Sequence, residues 1–230
     1  MPASAVPTLA DLAGTGLQSV AGGGSTSVKL FLVLTALSFG TAIILSVTSF
    51  TRIVIVFSFL RQALGTQQLP PNQVLVGLSL FLTLFVMGPT VRKVQTEALN
   101  PLMADKISVG EALDRAQAPL SEWMLKQTKE EDLRLFFEVS GTARPARGES
   151  IPFTVLVPSF MVSELGTSFR MGLYIFIPMV LIDLLVSIIM MALGMMMVPP
   201  TLIAMPLKLG VFLLAGGWHL VVSSLIRSFG

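Results

Sequence analysis

The sequence predicts an all-α protein with several hydrophobic helices of membrane-spanning length and one hydrophilic helical insertion. Of its 230 residues, 53% are hydrophobic and 12% are charged, and the mean hydropathy is +0.81, far from the average of soluble proteins. Long uncharged runs recur along the chain. By contrast, 19 of the 28 charged residues lie between Arg92 and Glu149, so this stretch alone is predicted to face water.

The composition also excludes several classes of function. A formal net charge of +2 does not provide the basic surface that nucleic-acid binding needs. The chain has no cysteine and a single histidine, His219, so disulfides, thiolate metal sites and histidine clusters are excluded. His219 beside Trp218 is interpreted as a packed or interface residue. The motifs HExxH, GxSxG, GxGxxG and the P-loop are absent, and we predict no enzymatic activity, cofactor or metal.

The first elements are a leader and one span. Residues 1–27 are rich in Ala, Gly, Ser and Thr and carry one charge, so they are predicted to be a flexible leader. The uncharged run from Leu30 to Phe50 is long enough to cross a hydrocarbon core of about 30 Å. Arg52 interrupts it, yet apolar residues continue to Arg61. The separation of these two arginines along the chain favours a solvated flank.

The second span is predicted from Val74 to Val91. The segment LGTQQLPPNQ before it contains Gly and Pro residues that end the preceding helix. Gly88 and Pro89 come near its end, immediately before a pair of basic residues. Its length is at the short limit for a spanning helix.

The insertion, about residues 92–150, is predicted to contain several amphipathic helices. Ser108 followed by Glu111, and Thr128 followed by Glu131, both fit a capping box at the start of a helix. The loop GTARPARGES would end the insertion.

Aromatic residues accompany these predicted helices. Pro119 could open a helix that carries Trp123, and LRLFFEVSG predicts a helix that ends near Gly141. Trp123 and Phe136 have two interpretations, a local core within the insertion or a contact with another subunit.

The remaining elements form a predicted hairpin. A short helix is expected from Pro158 to Gly166, followed by a third long segment from about Met171 to Val198. The fourth segment runs from about Leu209 to Ile226. The tip of the hairpin is then GMMMVPP.

Three consecutive methionines stand at this tip, in a stretch where the backbone is least able to stay helical. Met195, Met196 and Met197 follow a glycine and precede two prolines, which lack the amide hydrogens that a continuing helix would use. Non-helical backbone at membrane depth is tolerated inside protein or beside a water-filled cavity. Methionine is flexible enough to fill irregular gaps. The trio therefore either lines a channel or merely fills the hairpin tip.

Asp183 is a carboxylate inside an apolar segment, where an unpaired charge costs about 3 kcal/mol. No residue three or four positions away is basic, and Lys208 is the nearest candidate partner. If the chain turns at Pro199, the two residues are offset by about 10 Å along the helices. We therefore predict a salt bridge between adjacent subunits, with a pair inside one chain or a protonated Asp183 as alternatives.

Two further charges, Glu164 and Arg170, lie six residues apart and therefore on different helical faces. Each is expected to find its own partner. Together with Trp123 and Phe136 they are the candidate residues of an oligomer interface.

Two long strings carry a resemblance to a known family. TSFTRIVIVFSFLRQALGTQQLPPNQVLVGLSLFLTLFVMGP and PSFMVSELGTSFRMGLYIFIPMVLIDLLVSIIMMALGMMMVPP resemble the FliP family of flagellar export proteins, whose injectisome counterparts are the SctR proteins. The resemblance runs from about Val28 to Phe229. It implies that residues 28–230 form a single FliP-like helical unit.

The resemblance implies a function as well. In this family, about five copies assemble with FliQ and FliR and other export apparatus proteins into a helical, pore-enclosing complex. Such a gate lets unfolded flagellar proteins pass, and it sits in the bacterial inner membrane at the flagellar basal body with the insertion on the periplasmic side. The resemblance favours Met195, Met196 and Met197 as the pore gate. It also implies that the apolar helices pack largely against neighbouring subunits.

Two other functions stay open on the residues alone. A small ion-coupled transporter would use Asp183 as a titrating group during its cycle. A scaffold subunit without a channel would be insensitive to changes at the methionines.

Overall fold

The computed structural model describes residues 30–31, 34–35, 40, 45–66, 69–142, 145, 151–195 and 197–230. All regular elements among these residues are helical, which confirms the predicted all-α class. The predicted leader, residues 1–27, lies outside the described residues. The described positions between 30 and 46 are helical, and a turn at 47–49 separates them from the next helix, so the predicted span does not run unbroken to Phe50.

The helices of the described residues follow one another with short connections. They are α1 Phe50–Ala63, α2 Asn72–Val94, a π-helical turn Gln95–Leu99, α3 Asn100–Met103, α4 Val109–Gln127, α5 Glu130–Ser140, α6 Phe153–Ala192, α7 Pro200–Leu214 and α8 Gly217–Arg227.

Two stretches of the described residues are long and apolar enough to cross a membrane. They are Asn72–Met103, which contains 32 residues, and Phe153–Ala192, which contains 40. α7 and α8 would count as a third if the bent pair is one span, since their axes differ by 64°. The fourth predicted segment is therefore not one continuous helix. It breaks at Gly216, whose φ of +63° lies in the left-handed region that glycine adopts without strain.

From Phe153 to Ala192 the chain forms one helix where the sequence predicted two. The expected short helix from Pro158 to Gly166 lies inside α6, which also contains the third long segment as far as Ala192. The prediction of two separate helices is therefore wrong. Leu156 and Phe160 on its first half are completely buried against the insertion. Gly166 lies inside this helix. Burial of the two large side chains outweighs the cost of about 1 kcal/mol that a glycine imposes inside a helix.

The insertion contains the predicted amphipathic helices, α4 and α5. Ser108 is the N-cap of α4, and its Oγ accepts a hydrogen bond of 3.2 Å from the backbone N–H of Glu111, which confirms that start signal. Pro119 does not open a helix as predicted but lies inside α4. Gly141, with a φ of +63°, ends α5 as predicted.

The second predicted capping box is wrong. Thr128 follows the last turn of α4 instead of opening α5, and its hydroxyl donates to the Met124 carbonyl oxygen at 2.7 Å. The N-cap of α5 is Lys129, whose backbone N–H donates to Ser163 Oγ at 2.9 Å. A side chain from α6 thus supplies the acceptor that the sequence pattern assigned to a local residue.

Three apolar clusters hold the helices together. The largest joins α1 to α6, α7 and α8, with Phe57, Leu60 and Leu225 among its buried members. The second packs α4 and α5 on the first half of α6. The third lies between the end of α6 and the start of α7. It is beside the connection between Ala192 and Pro200, which we call the methionine turn. α1 and α6 are therefore the two helices on which the others are assembled.

Candidate functional site

The connection between α6 and α7 is a tight helix end. Gly194 has a φ of +74°, and its N–H donates to the Met191 carbonyl oxygen at 3.0 Å. The N–H of Met195 donates to the Met190 carbonyl oxygen, also at 3.0 Å. This pair of bonds is the Schellman arrangement, which satisfies the last carbonyls of a helix and reverses the chain. A new helix starts at Pro200, so the predicted break lies where the sequence placed it.

Two methionines of this turn, Met195 and Met197, are exposed. Met195 is 42% exposed and Met197 is 95% exposed, whereas Met190, one turn earlier, is buried against α7. Met196 lies outside the described residues. Side chains that only filled a hairpin tip would be covered by their own helices, and Met197 is not. Met197 and part of Met195 are therefore left uncovered by the helices of the chain itself.

Below the turn, Asp183 and Lys208 connect α6 to α7. Lys208 Nζ donates to Asp183 Oδ2 at 2.6 Å and to the Ala63 carbonyl oxygen of α1 at 3.1 Å. The Lys208 side chain is 7% exposed and that of Asp183 is 37% exposed. One buried ammonium group therefore holds three helices at the same level.

This pair corrects the prediction of a bridge between subunits, because both residues belong to one chain. The 10 Å offset came from counting residues to a turn at Pro199. The helices instead end and begin at Ala192 and Pro200, nine residues after Asp183 (192 − 183) and eight before Lys208 (208 − 200). The two side chains are therefore level, and the bridge closes within the hairpin.

A second ion pair, more deeply buried, lies near the other end of α1. Arg52 of α1 is 2% exposed and Glu164 of α6 is completely buried. Arg52 Nε donates to Glu164 Oε2 at 2.9 Å, and its Nη2 donates to the other carboxylate oxygen. Such two-point pairing is the strongest form of this contact and fixes the plane of the guanidinium group.

Arg52 also binds the end of α8 and the end of α4. Its Nη1 donates to the carbonyl oxygen and to the Oγ of Ser228, at 2.8 and 3.0 Å, and its Nη2 donates to Gln127 Oε1 at 3.1 Å. With the two bonds to Glu164, all five N–H groups of the guanidinium are used. This accounts for the near-complete burial of an arginine in an apolar body.

An aromatic residue completes the cluster. The guanidinium carbon of Arg52 lies 4.0 Å from the ring centroid of Phe229, and the Trp123 ring stacks on the same ring at 5.7 Å. Gln127 Nε2 donates to the Phe229 carbonyl oxygen at 2.9 Å. We call Arg52, Trp123, Gln127, Glu164, Ser228 and Phe229 the Arg52 cluster.

The Arg52 cluster changes the assignment of two predicted residues. Arg52 was expected on a solvated flank, and that prediction is wrong. Glu164 was expected at an oligomer interface, but its side chain is inaccessible and already paired. The signal that could have joined them is that each is a lone charge of opposite sign within an apolar segment.

The other predicted interface residues keep surface available for a partner. Arg170 is exposed, and no carboxylate of the described residues pairs with it. Phe136 is half-buried at the edge of the core between α4, α5 and α6, and Trp123 is half-buried in the Arg52 cluster. Their contact with another subunit stays a prediction.

A surface charge cluster ties the insertion to the end of α2. Glu122 of α4 accepts hydrogen bonds of 2.7 Å from both Lys126 and Lys93. The bond from Lys126, with that from Lys93 and the charges of both, lowers the pKa of Glu122 from 4.5 to about 2. Since the folded pKa lies below the ordinary value, this contact stabilises the fold above about pH 4.5 and is lost as the pH falls towards 2.

The described residues contain no group of three or more His, Cys, Asp or Glu side chains that could hold a metal ion. His219 is exposed on α8, so it is not packed within this chain as one of its two predicted alternatives required.

Comparison with known proteins gives one consistent result. A model described as the FliP family matches residues 33–225. The flagellar biosynthetic protein FliP of Bacillus subtilis (strain 168) is 49% identical over 205 residues, which are 89% of this chain and 93% of the relative. The protein of the same name from Pectobacterium carotovorum subsp. carotovorum is 48% identical over 223 residues, 96% of this chain and 86% of the relative. That of Aquifex aeolicus (strain VF5) is 45% identical over 205 residues, 88% and 86% of the two chains.

Proposed function

The chain belongs to the FliP family, and we propose on that basis that it is a structural, pore-forming subunit of the flagellar type III protein export gate. In this proposal several copies, about five as the family resemblance implies, assemble with FliQ and FliR and other export apparatus proteins. The assembly encloses a path for unfolded flagellar polypeptides. It is located in the bacterial inner membrane, with the insertion towards the periplasm.

The observation that carries the proposal is the exposed methionine turn. Met195 and Met197 project from a non-helical connection between two apolar helices. Backbone of this kind at membrane depth needs a protein or aqueous environment, and lipid does not supply it. In an assembly of several copies around an axis, these turns would meet as a ring of thioether side chains, with Met196 as the third member.

Methionine suits such a ring for physical reasons. It is unbranched, so several side chains can repack closely around an empty path and exclude water from it. The same flexibility lets them move aside for a polypeptide without requiring any particular sequence. The ring would therefore close the path to ions and still admit many substrates.

The exposed apolar faces of the helices support an assembly. On α2, Phe81, Leu84 and Phe85 are exposed on one side of the helix, and on α6 a similar face includes Leu181 and Leu185. Faces of this extent on a single chain require lipid or other subunits as cover.

The experiment is an ion-leak measurement on the purified complex in vesicles. Replacing Met195, Met196 and Met197 together with alanine should raise ion conductance several-fold, because the shorter side chains no longer fill the ring. Met103→Ala is the matched control, since Met103 is also exposed but lies on α3 of the insertion.

The mass of the complex and its copy number of this chain are measured on the same samples. A chain that does not associate with further copies or partners contradicts the gate. Unchanged conductance in the triple alanine variant favours a scaffold subunit. Loss of coupled transport in Asp183→Asn, with the methionine variants unaffected, favours an ion-coupled transporter.

A further inference from the structure

The α7–α8 pair is held by α1 at two separate places. At one end of α1, Arg52 binds Ser228 at the end of α8. At the other end, the Ala63 carbonyl oxygen accepts from Lys208 of α7. The two positions are 11 residues apart (63 − 52), or about 16 Å along the helix. α1 therefore fixes both the position and the tilt of the helix pair that follows the methionine turn.

The bend between α7 and α8 is packed tightly. A Cβ at Gly217 would overlap the ring of Phe212, so the two helices touch at their junction. The Trp218 ring lies edge-on to Phe212 at 5.6 Å and is tilted by 60° to the Phe57 ring of α1 at 6.4 Å. Close-packed junctions transmit displacement because they have no void in which to absorb it. Movement of α8 is therefore passed to α7.

The insertion contacts Phe229, one of the two residues that Arg52 contacts, and it also contacts Arg52 itself. The amide of Gln127 accepts from Arg52 through Oε1 and donates to the Phe229 carbonyl oxygen through Nε2. Trp123, also on α4, stacks on the ring of Phe229. Residues at the end of α8 thus contact α1 and α4 at once.

The contacts of Arg52 are of two kinds: those to Glu164 are costly to break, and those to Ser228 are not. If the end of α8 moved away, Arg52 would keep its two bonds to Glu164 and would not be left as an unpaired buried charge. Water could then replace the carbonyl and hydroxyl oxygens of Ser228 at little cost. Breaking the pair with Glu164, in contrast, would leave two buried charges unpaired.

We propose that Ser228 and Phe229 form a latch through which α1 and the insertion together hold the α7–α8 pair, and with it the methionine turn, in one position. Arg52 and Gln127 do not touch the methionine turn and position it only through their contacts with Ser228 and Phe229. That the latch exists depends only on the contacts above. That it sets a gate rests on the proposed function.

The test is amide hydrogen exchange by mass spectrometry on the assembled complex. The double variant Ser228→Ala, Phe229→Leu removes the hydroxyl and ring contacts and leaves Arg52 paired with Glu164. Gln127→Leu removes the hydrogen bonds that the insertion makes to Arg52 and to the Phe229 carbonyl oxygen, and leaves the Trp123 stacking in place. Both variants should speed exchange about tenfold in α8 and in the amides of Met195 and Leu202, which donate to the Met190 and Pro199 carbonyl oxygens. This is a change of about 1.4 kcal/mol in the free energy of local opening.

Two controls define the result. Ser224→Ala removes an exposed α8 hydroxyl outside the Arg52 cluster and should leave exchange unchanged. Phe229→Tyr keeps an aromatic ring and should therefore show the same slow exchange in α8 and the methionine turn as the unchanged protein. Faster exchange confined to the last turn of α8, with the amides of Met195 and Leu202 unaffected, overturns the latch. A complex whose ion conductance does not rise when Met195, Met196 and Met197 are replaced with alanine would contradict the proposed gate, whereas the exchange comparison would still decide the latch.

Discussion

At the scale of single residues, Lys208 shows that the position of a buried charge depends on its backbone partner as well as on its ion-pair partner. Its ammonium group serves the Asp183 carboxylate and the Ala63 carbonyl oxygen together. The sequence correctly indicated that Asp183 needs a basic partner and that Lys208 is the nearest one. It could not indicate the backbone acceptor, because carbonyl groups are present at every residue and carry no sequence signal.

The two contacts of Lys208 predict an incomplete rescue on charge exchange. Asp183→Lys or Lys208→Asp alone places like charges side by side and should abolish assembly. The double variant restores the ion pair, but an aspartate at position 208 cannot donate to Ala63, and an unsatisfied buried carbonyl costs about 1–3 kcal/mol. We therefore expect partial recovery, measured as yield of the complex and as its thermal unfolding midpoint.

Mixing the two single variants separates a bridge within one chain from one between chains. With the pair inside each chain, every subunit in the mixture is still defective and assembly stays low. Recovery in the mixture would show that the bridge joins neighbouring subunits instead.

At the scale of elements, the sequence predicted which stretches are helical better than where the helices end. Glycine ends helices at Gly141 and Gly194, where φ is positive, but Gly166 lies within α6. The difference comes from packing, because the first half of α6 buries its side chains on the insertion. A local pattern cannot reveal the partner that makes it favourable to continue a helix through a glycine.

The junction of α7 and α8 gives a prediction at this scale. Gly217→Ala should lower the stability of the complex by about 1–3 kcal/mol, because its Cβ would enter the space of the Phe212 ring. Gly210→Ala, inside α7 with open space around the added methyl, is the matched control and should be neutral or stabilising by up to about 1 kcal/mol. Thermal unfolding of the two variants checks this, and equal effects would contradict the packed junction.

At the scale of the whole molecule, the chain leaves charge as well as apolar surface for its partners. Arg52 and Lys208 are paired within the chain, whereas Arg170 projects from the apolar helix α6 with no carboxylate among the described residues. The composition predicted an apolar assembly, and the recognisable strings predicted the family. One sequence cannot predict which surfaces meet, because each interface is made by two chains.

Removal of the Arg170 charge should therefore weaken association. We expect Arg170→Gln to lower the fraction of fully assembled complex, most visibly at low salt where charge pairs are least screened. Arg115→Gln is the control, since Arg115 is equally exposed but pairs with Glu111 on its own helix at 2.7 Å. Mass measurement of both complexes over a range of salt concentrations tests this, and identical behaviour would place Arg170 outside any charged interface.

The length of α6 has a further consequence. Its 40 residues extend about 60 Å, twice the thickness of a hydrocarbon core, and they are apolar along almost the whole length. No tilt within the usual range reconciles such a rod with a bilayer, so the hydrophobic mismatch must be relieved by protein. The insertion of the same chain covers the first half of α6. Companion subunits are therefore needed along the second half, and their recruitment there is expected to accompany biogenesis.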